Sequence, residues 1–223
     1  MFREFLNIWR KKDLTFETLN KSIEMLHEDQ EMFLESIRSL RESDDGELRV
    51  DIYKKDKDIN KSERDIRKKV LTHLMLFDKT EITSGLVFAS IVIDIERIGD
   101  YTKNIADLAI LHKKKLSAGS FENLVISIEN RVKEFFDITI KAFPESNAEL
   151  ARKVLSEYKK LSYDCTAIKE SLIKKEDELD VSDAVTLALY LRFLKRVAAH
   201  LFNICTSVVN PFHRIGYKEK KKK

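Results

Sequence analysis

The sequence predicts an all-α fold: two tandem three-helix bundles, six long antiparallel helices in all, related by an internal repeat. Three observations carry that expectation. The 223-residue chain holds only 5 Gly and 2 Pro, so tight turns are scarce. Its charged residues, 35% of the total, alternate with apolar ones at a 3.6-residue period over long stretches. Finally, parts of the first half can be laid on the second. "IERIGDYTKNIADL" (95–108) falls on "LKRVAAHLFNICTS" (194–207), and "GELRVDIYKKDKDINKSERDI" (46–66) falls on "AELARKVLSEYKKLSYDCTAI" (148–168).

Punctuation divides the chain into six segments. The first helix is expected over about 16–41 and ends at "SDDG" (43–46). The second covers about 47–77, followed by "DKTEITSG", in which Thr80 could cap a helix. The third covers about 84–112, and "KKKLSAGS" (113–120) reads as a linker. The fourth runs from Phe121 to Phe143 and is expected to stop at Pro144, which cannot continue a helix. The fifth runs over about 148–176. The sixth begins near Ser182, read as its N-cap with Asp183 in the first turn, and ends at Asn210-Pro211. Helices of this size span roughly 40 Å, and short connections make sequential neighbours antiparallel. The expected units are 1–115, 116–212 and a basic tail, 213–223.

Charge narrows the function classes. The net charge is +3, yet "HRIGYKEKKKK" at the C-terminus alone holds six Lys/Arg against one Glu. The body is therefore close to neutral and shows no basic helical stripe, which argues against a nucleic-acid partner. Lys220 to Lys223 read as a solvated tail, with attraction to anionic lipid as the sharper alternative. No apolar run approaches the 18 residues of a membrane span, and "MFREFLNIWRKKD" carries charges where a secretory signal would be apolar. Phe2, Phe5, Leu6 and Trp9 form one face of an amphipathic helix that is expected to dock on its own bundle. A partner or a membrane surface is the alternative. Cys165 and Cys205 show no C-x-x-C spacing and read as buried thiols in a reducing compartment, the cytoplasm.

The chemistry that stands out lies on the third helix. Glu96, Asp100 and Asn104 are successive i, i+4 neighbours on one face, with Asp107 close by. Ile95, Ile98, Thr102, Ile105 and Ala109 mark another face, assigned to the core. Gly99 costs about 1 kcal/mol relative to Ala inside a helix, which suggests a close helix–helix contact there. Two carboxylates one turn apart repel unless a cation joins them; Arg97 and Lys103 could serve, and so could a metal.

"ERIGDYTKNIADL" resembles the signature of the PhoU family of phosphate-uptake regulators, whose two three-helix repeats carry E-R-[IV]-[GA]-D-x-x-x-N-I on the third helix. The likeness extends over both halves, the second motif "LKRVAAHLFNI" being degenerate. It implies two three-helix bundles side by side, and carboxylate-bound iron or zinc on the bundle surface. It implies a cytoplasmic adaptor between a phosphate ABC transporter and a membrane sensor kinase. Matched residue by residue, the implied metal ligands are Glu96, Asp100 and Asp56, with Asn60 where an Asp is expected. Magnesium or calcium would also suit such oxygen donors. In the second half Lys195 and Ala199 stand at the Glu and Asp positions, and Tyr158 and Ser162 stand opposite Asp56 and Asn60, so a metal is expected in the first half only. "TEITSG" stands where the family has a D-L-R element. His73, His112 and His200 are expected to be core or interface residues, since ligands come in clusters.

The implied function is a non-catalytic adaptor, with association to the membrane through partners. Alternatives are a regulator of another ion transporter or a metal-free scaffold. A homo-oligomer remains open. A di-metal oxidase would need Glu-x-x-His on two helices, which the chain does not have.

Overall fold

The computed structural model describes residues 13–76, 82–175 and 178–219. Six helices cross it: α1 Asp13–Glu42, α2 Ile52–Leu76, α3 Ile82–Leu111, α4 Glu122–Glu145, α5 Ala148–Ile173 and α6 Val181–Val209. Short 3-10 turns occupy Gly119–Phe121 and Phe212–Arg214, and no strand occurs among the described residues. The apolar stripe at residues 2–9, Thr80, and Lys220 to Lys223 lie outside that range.

The helices pack as the hydrophobic period requires, three before the 113–120 linker and three after. Helices α1, α2 and α3 form one unit; α4, α5 and α6 form the other. The units join along α3 and α6, and along α1 and α4. Both joints are antiparallel. Asp94 meets His200 and Asn203, whereas Tyr101, two turns later, meets Phe193. Phe33 of α1 packs on Phe136 of α4 with ring centroids 5.1 Å apart. The core is continuous: Ile91, Ile95, Ile98 and Ile105 of α3 are fully buried, as are Leu194, Val197 and Leu201 of α6.

Two expected helix ends differ. Helix α4 passes through Pro144 to Glu145 and ends on Ser146 in the left-handed region, φ 50°. Proline deletes a donor, and so close to the end the following Ser146 N–H still reaches Ala142 and Phe143 carbonyls. At the start of α6 the N-cap position falls on Asp180, not Ser182. The Asp180 carboxylate is taken by Lys114, and Ser182 turns its hydroxyl to His112. By contrast Asn147 caps α5 as Asx residues do, accepting from Leu150 N at 3.1 Å.

Both cysteines are buried free thiols. Burial pushes each thiol up to about 12, with Lys195 partly opposing this at Cys165 and the Thr139 hydroxyl at Cys205. Among the described residues, no helix is long and apolar enough to cross a membrane.

Candidate functional site

At the expected acids, helix α3 meets α2 through Lys103, which stands between Asp100 and Asp56. Glu96, Asp100 and Lys103 face the side of α3 that packs on α2, and Asp56 and Asn60 face them from α2. Lys103 Nζ lies 2.8 Å from Asp56 Oδ2 and 3.6 Å from Asp100 Oδ1, so one ammonium spans both helices. Arg97 lies 3.0 Å from Asp100 Oδ2 and 3.6 Å from Glu96 Oε2 on the outer side. Asn60 donates its amide to Asp56 Oδ2 at 3.3 Å. Asp107, one turn beyond, accepts from the Tyr53 hydroxyl, and that hydrogen bond, more than burial, raises the phenol to about 12.

Beneath this notch lies a residue the sequence reading missed. Asp29 of α1 is fully buried, and among the described residues neither of its carboxylate oxygens has a hydrogen-bond partner. It points at the α3 backbone: a Cβ added to Gly99 would stand 2.9 Å from Asp29 Oδ1 and 3.6 Å from Ile59 Cδ1. Gly99 is therefore the close contact its position suggests, and the contact is with an acid. Burial first, then the charges of Glu28, Asp56, Glu96 and Asp100, hold Asp29 well above the ordinary carboxylate range. Glu96 is raised as well, by burial and then Asp100, with Arg97 pulling the other way and Glu63 and Asp56 adding to the rise. Lys103 is lowered by burial but raised more by Asp56 and Asp100, so its net shift is upward. The notch thus gathers acids on three helices, and its cations reach only the outer ones.

A signal for Asp29 was present in the sequence. It interrupts a core stripe on α1 that includes Ser22, Met25, Leu26, Met32, Phe33 and Ser36, all buried. With Phe33 laid on Phe136, Asp29 falls on Val132, which is buried and apolar in the second repeat.

The corresponding place in the second repeat is filled otherwise. Lys195 donates to Thr166 Oγ1 at 3.0 Å, and Tyr158 packs on Phe202 with centroids 4.7 Å apart. Among the described residues, no group of three or more His, Cys, Asp or Glu converges on a point where a metal ion would sit. The one Glu-x-x-His of the chain, Glu24 to His27, leaves Glu24 exposed beside Lys21.

Two histidines occupy joints between the units. His200 and Asn203 donate to Asp94 Oδ1 at 2.7 and 2.9 Å, and the His200 ring stacks on Tyr101, centroids 5.6 Å apart. His112 Nε2 lies 2.8 Å from Asp183 Oδ1, tying the end of α3 to the start of α6. His73 is buried.

Comparison with known proteins decides the lineage. The PhoU domain matches this sequence twice, over residues 22–109 and 125–208. The chain belongs to the PhoU domain family. Each match covers one three-helix unit, so the repeat seen in the sequence is the family's own. The fold agrees with two solved PhoU structures. The chain superposes on PhoU from Pseudomonas aeruginosa with a TM-score of 0.79 at 22% identity, covering 88% of this chain and 95% of that one. It superposes on the phosphate transport system regulatory protein PhoU from Streptococcus pneumoniae with a TM-score of 0.76 at 20% identity, covering 87% and 92%. A curated relative, the uncharacterized protein MJ1641 of Methanocaldococcus jannaschii, is 25% identical over 182 residues, which is 82% of this chain and 61% of that protein. The chain thus spans about three fifths of that relative's length.

Proposed function

We propose that this PhoU-family chain is a non-catalytic cytoplasmic adaptor that regulates phosphate transport, docking helix surfaces on a phosphate ABC transporter or its sensor kinase. One observation carries the reading: both three-helix units match the PhoU domain, each over nearly its full length. A family match of that extent supports the family's role more than it supports any single partner. Purified chain should bind the cytoplasmic ATPase subunit of a phosphate transporter, or the kinase's cytoplasmic domains, in a pull-down and by calorimetry. Absence of binding to both, with and without added metal, would refute the adaptor.

Within that reading, Asp56, Glu96 and Asp100, with the Asn60 amide oxygen, are the residues that would hold a metal. They fit by charge. Burial and neighbouring acids raise both Asp29 below them and Glu96 among them, so retained protons, which a cation could displace, offset part of the site's charge. They also carry a competitor, since Lys103 holds Asp56 and reaches Asp100. A cation would bind in exchange for that ammonium. When bound, the metal would supply a second positive charge and cross-link α2 to α3. Iron or zinc is implied by the family, and magnesium or calcium suits the same oxygens. The second reading is a metal-free regulator, favoured by the same Lys103 contacts. Metal analysis after equilibrium dialysis separates the two. Metal binding that falls in Glu96→Gln and Asp100→Asn and rises in Lys103→Met supports the site. Equal metal content in all four proteins eliminates it.

A further inference from the structure

Four apolar side chains stand in solvent at the tip where α2 turns into α3. Leu71 is 61% exposed, Met75 78%, Ile82 42% and Leu86 39%. Leu71 and Met75 are one turn apart on α2, and Ile82 and Leu86 are one turn apart on α3, so each pair shares a face. The two pairs belong to one surface because the helices touch here. Leu74 Cδ2 lies 2.7 Å from where a Cβ on Gly85 would stand, so the α3 backbone rests on α2 at this tip. Single exposed leucines are ordinary; two facing pairs on adjoining turns make a patch that water solvates poorly.

The chain itself carries a matching surface nearby. Helix α1 begins at Asp13, and one turn later Glu17 pairs with Lys69 of α2. The first turn of α1 therefore runs beside the last turns of α2, with Asp13 near the level of His73. The twelve residues before Asp13 hold Phe2, Phe5, Leu6 and Trp9 at i, i+3, i+4 and i+7, an apolar stripe with no apolar side chain between Trp9 and Asp13. Residues 10–12 reach about 10 Å when extended, a helix over residues 2–9 would add about 12 Å, and a helix with side chains is about 10–12 Å across. The stripe can therefore pass around α2 to the patch. We propose that Phe2, Phe5, Leu6 and Trp9 of this chain dock on the patch formed by Leu71, Met75, Ile82 and Leu86.

The repeat supplies an internal comparison. Ile173, Val181 and Val185 occupy the positions of Leu71, Ile82 and Leu86 in the second unit and are exposed too. That tip lies at the opposite end of the bundle, by the His112–Asp183 joint. The described chain ends are at the first tip's end: Asp13 leads to Glu17 beside Lys69, and Glu219 pairs with Arg152 early in α5. Of the two tips, the first has the ends of the described residues beside it.

Trp9 is the only tryptophan, so its fluorescence reads the docking directly. At low protein concentration and without lipid, the full chain should emit at short wavelength and resist acrylamide quenching. Leu71→Glu with Leu86→Glu should shift emission to that of a solvated indole, with far-UV circular dichroism unchanged. Phe5→Ser should do the same from the other side of the contact, which keeps the test intact if a patch variant misfolds. Val185→Glu, on the equivalent second tip, should leave Trp9 as it was. A solvated Trp9 in the unaltered chain overturns the proposal. So does shielding that both patch substitutions leave unchanged. Shielding that appears only as protein concentration rises assigns the patch to a second copy, and shielding only with anionic vesicles assigns the stripe to membrane; either result also overturns it.

Discussion

Asp29 shows how one residue can set a local cost that the rest of the bundle absorbs. Its carboxylate is fully buried, has no hydrogen-bond partner among the described residues, and faces Gly99 with acids on both neighbouring helices. A buried unpaired polar group costs about 1–3 kcal/mol, and more when charged. Val132, its counterpart in the second repeat, fills the same position with apolar volume. Asp29→Val should therefore stabilise the protein by about 1–3 kcal/mol, or roughly 2–10 °C in a chain of this size. The pH profile gives a second reading of the same group. Its folded pKa is raised, so its contribution is intact below the unfolded value of about 4 and is lost as pH climbs towards the folded value. Thermal melts from pH 4 upward should show a declining stability that Asp29→Val flattens. Equal melting points for the two proteins across that range would show that Asp29 is satisfied in solution. The sequence made Glu96, Asp100 and Asp56 legible because i, i+4 acids on an amphipathic helix are visible without a fold. It marked Asp29 only as an acid interrupting a core stripe, a signal whose meaning depends on its neighbours on α2 and α3.

Helix existence and order followed from the 3.6-residue period, whereas the helix ends followed from contacts the period does not contain. Pro144 looks like a stop, yet α4 runs one residue past it because Ser146 takes the left-handed conformation and returns its N–H to the last turn. Ser182 looks like a cap, yet its hydroxyl is claimed by His112 from the other unit. A non-glycine residue at φ 50° carries a steric cost that glycine lacks, and the buried Ser146 hydroxyl oxygen has no hydrogen-bond partner among the described residues. Ser146→Gly should therefore raise stability by about 0.5–1.5 kcal/mol, read as a higher urea midpoint with an unchanged m-value. A lower midpoint would mean that the Ser146 side chain contributes packing at the α4–α5 turn that outweighs its backbone strain.

At the scale of the whole molecule, the question is what makes two three-helix units behave as one body. The repeat was readable from the offsets between the halves, but the joint was not, because its partners are far apart in sequence and belong to different helices. Arg41, at the end of α1, lies 3.1 Å from Glu129 of α4 and also pairs with Glu122. The Tyr190 hydroxyl of α6 donates to Glu129 at 2.8 Å. Arg41 and Glu129 are both nearly buried, so this is a charge pair removed from water with a phenol completing it. Burial raises Glu129, with Arg41 and then the Tyr190 hydrogen bond opposing that rise. The first repeat has Leu26 at the position of Glu129, fully buried, so an apolar side chain is compatible with this site in the repeat. Removing one partner of a buried pair costs about 3–5 kcal/mol, because the other charge is left stranded, whereas replacing both with apolar groups is often neutral. Arg41→Met should therefore lose about 3–5 kcal/mol in denaturant unfolding, and adding Glu129→Leu should recover most of it. The stranded carboxyl also predicts a direction with pH. The loss in Arg41→Met should be smaller in acid, where Glu129 is protonated, and larger towards neutrality. If the pair instead helps to hold the units together, Arg41→Met should split unfolding into two transitions, while the double variant restores one. A single transition with no loss of stability in Arg41→Met would mean that the Phe33–Phe136 contact and the α3–α6 joint suffice to couple the halves.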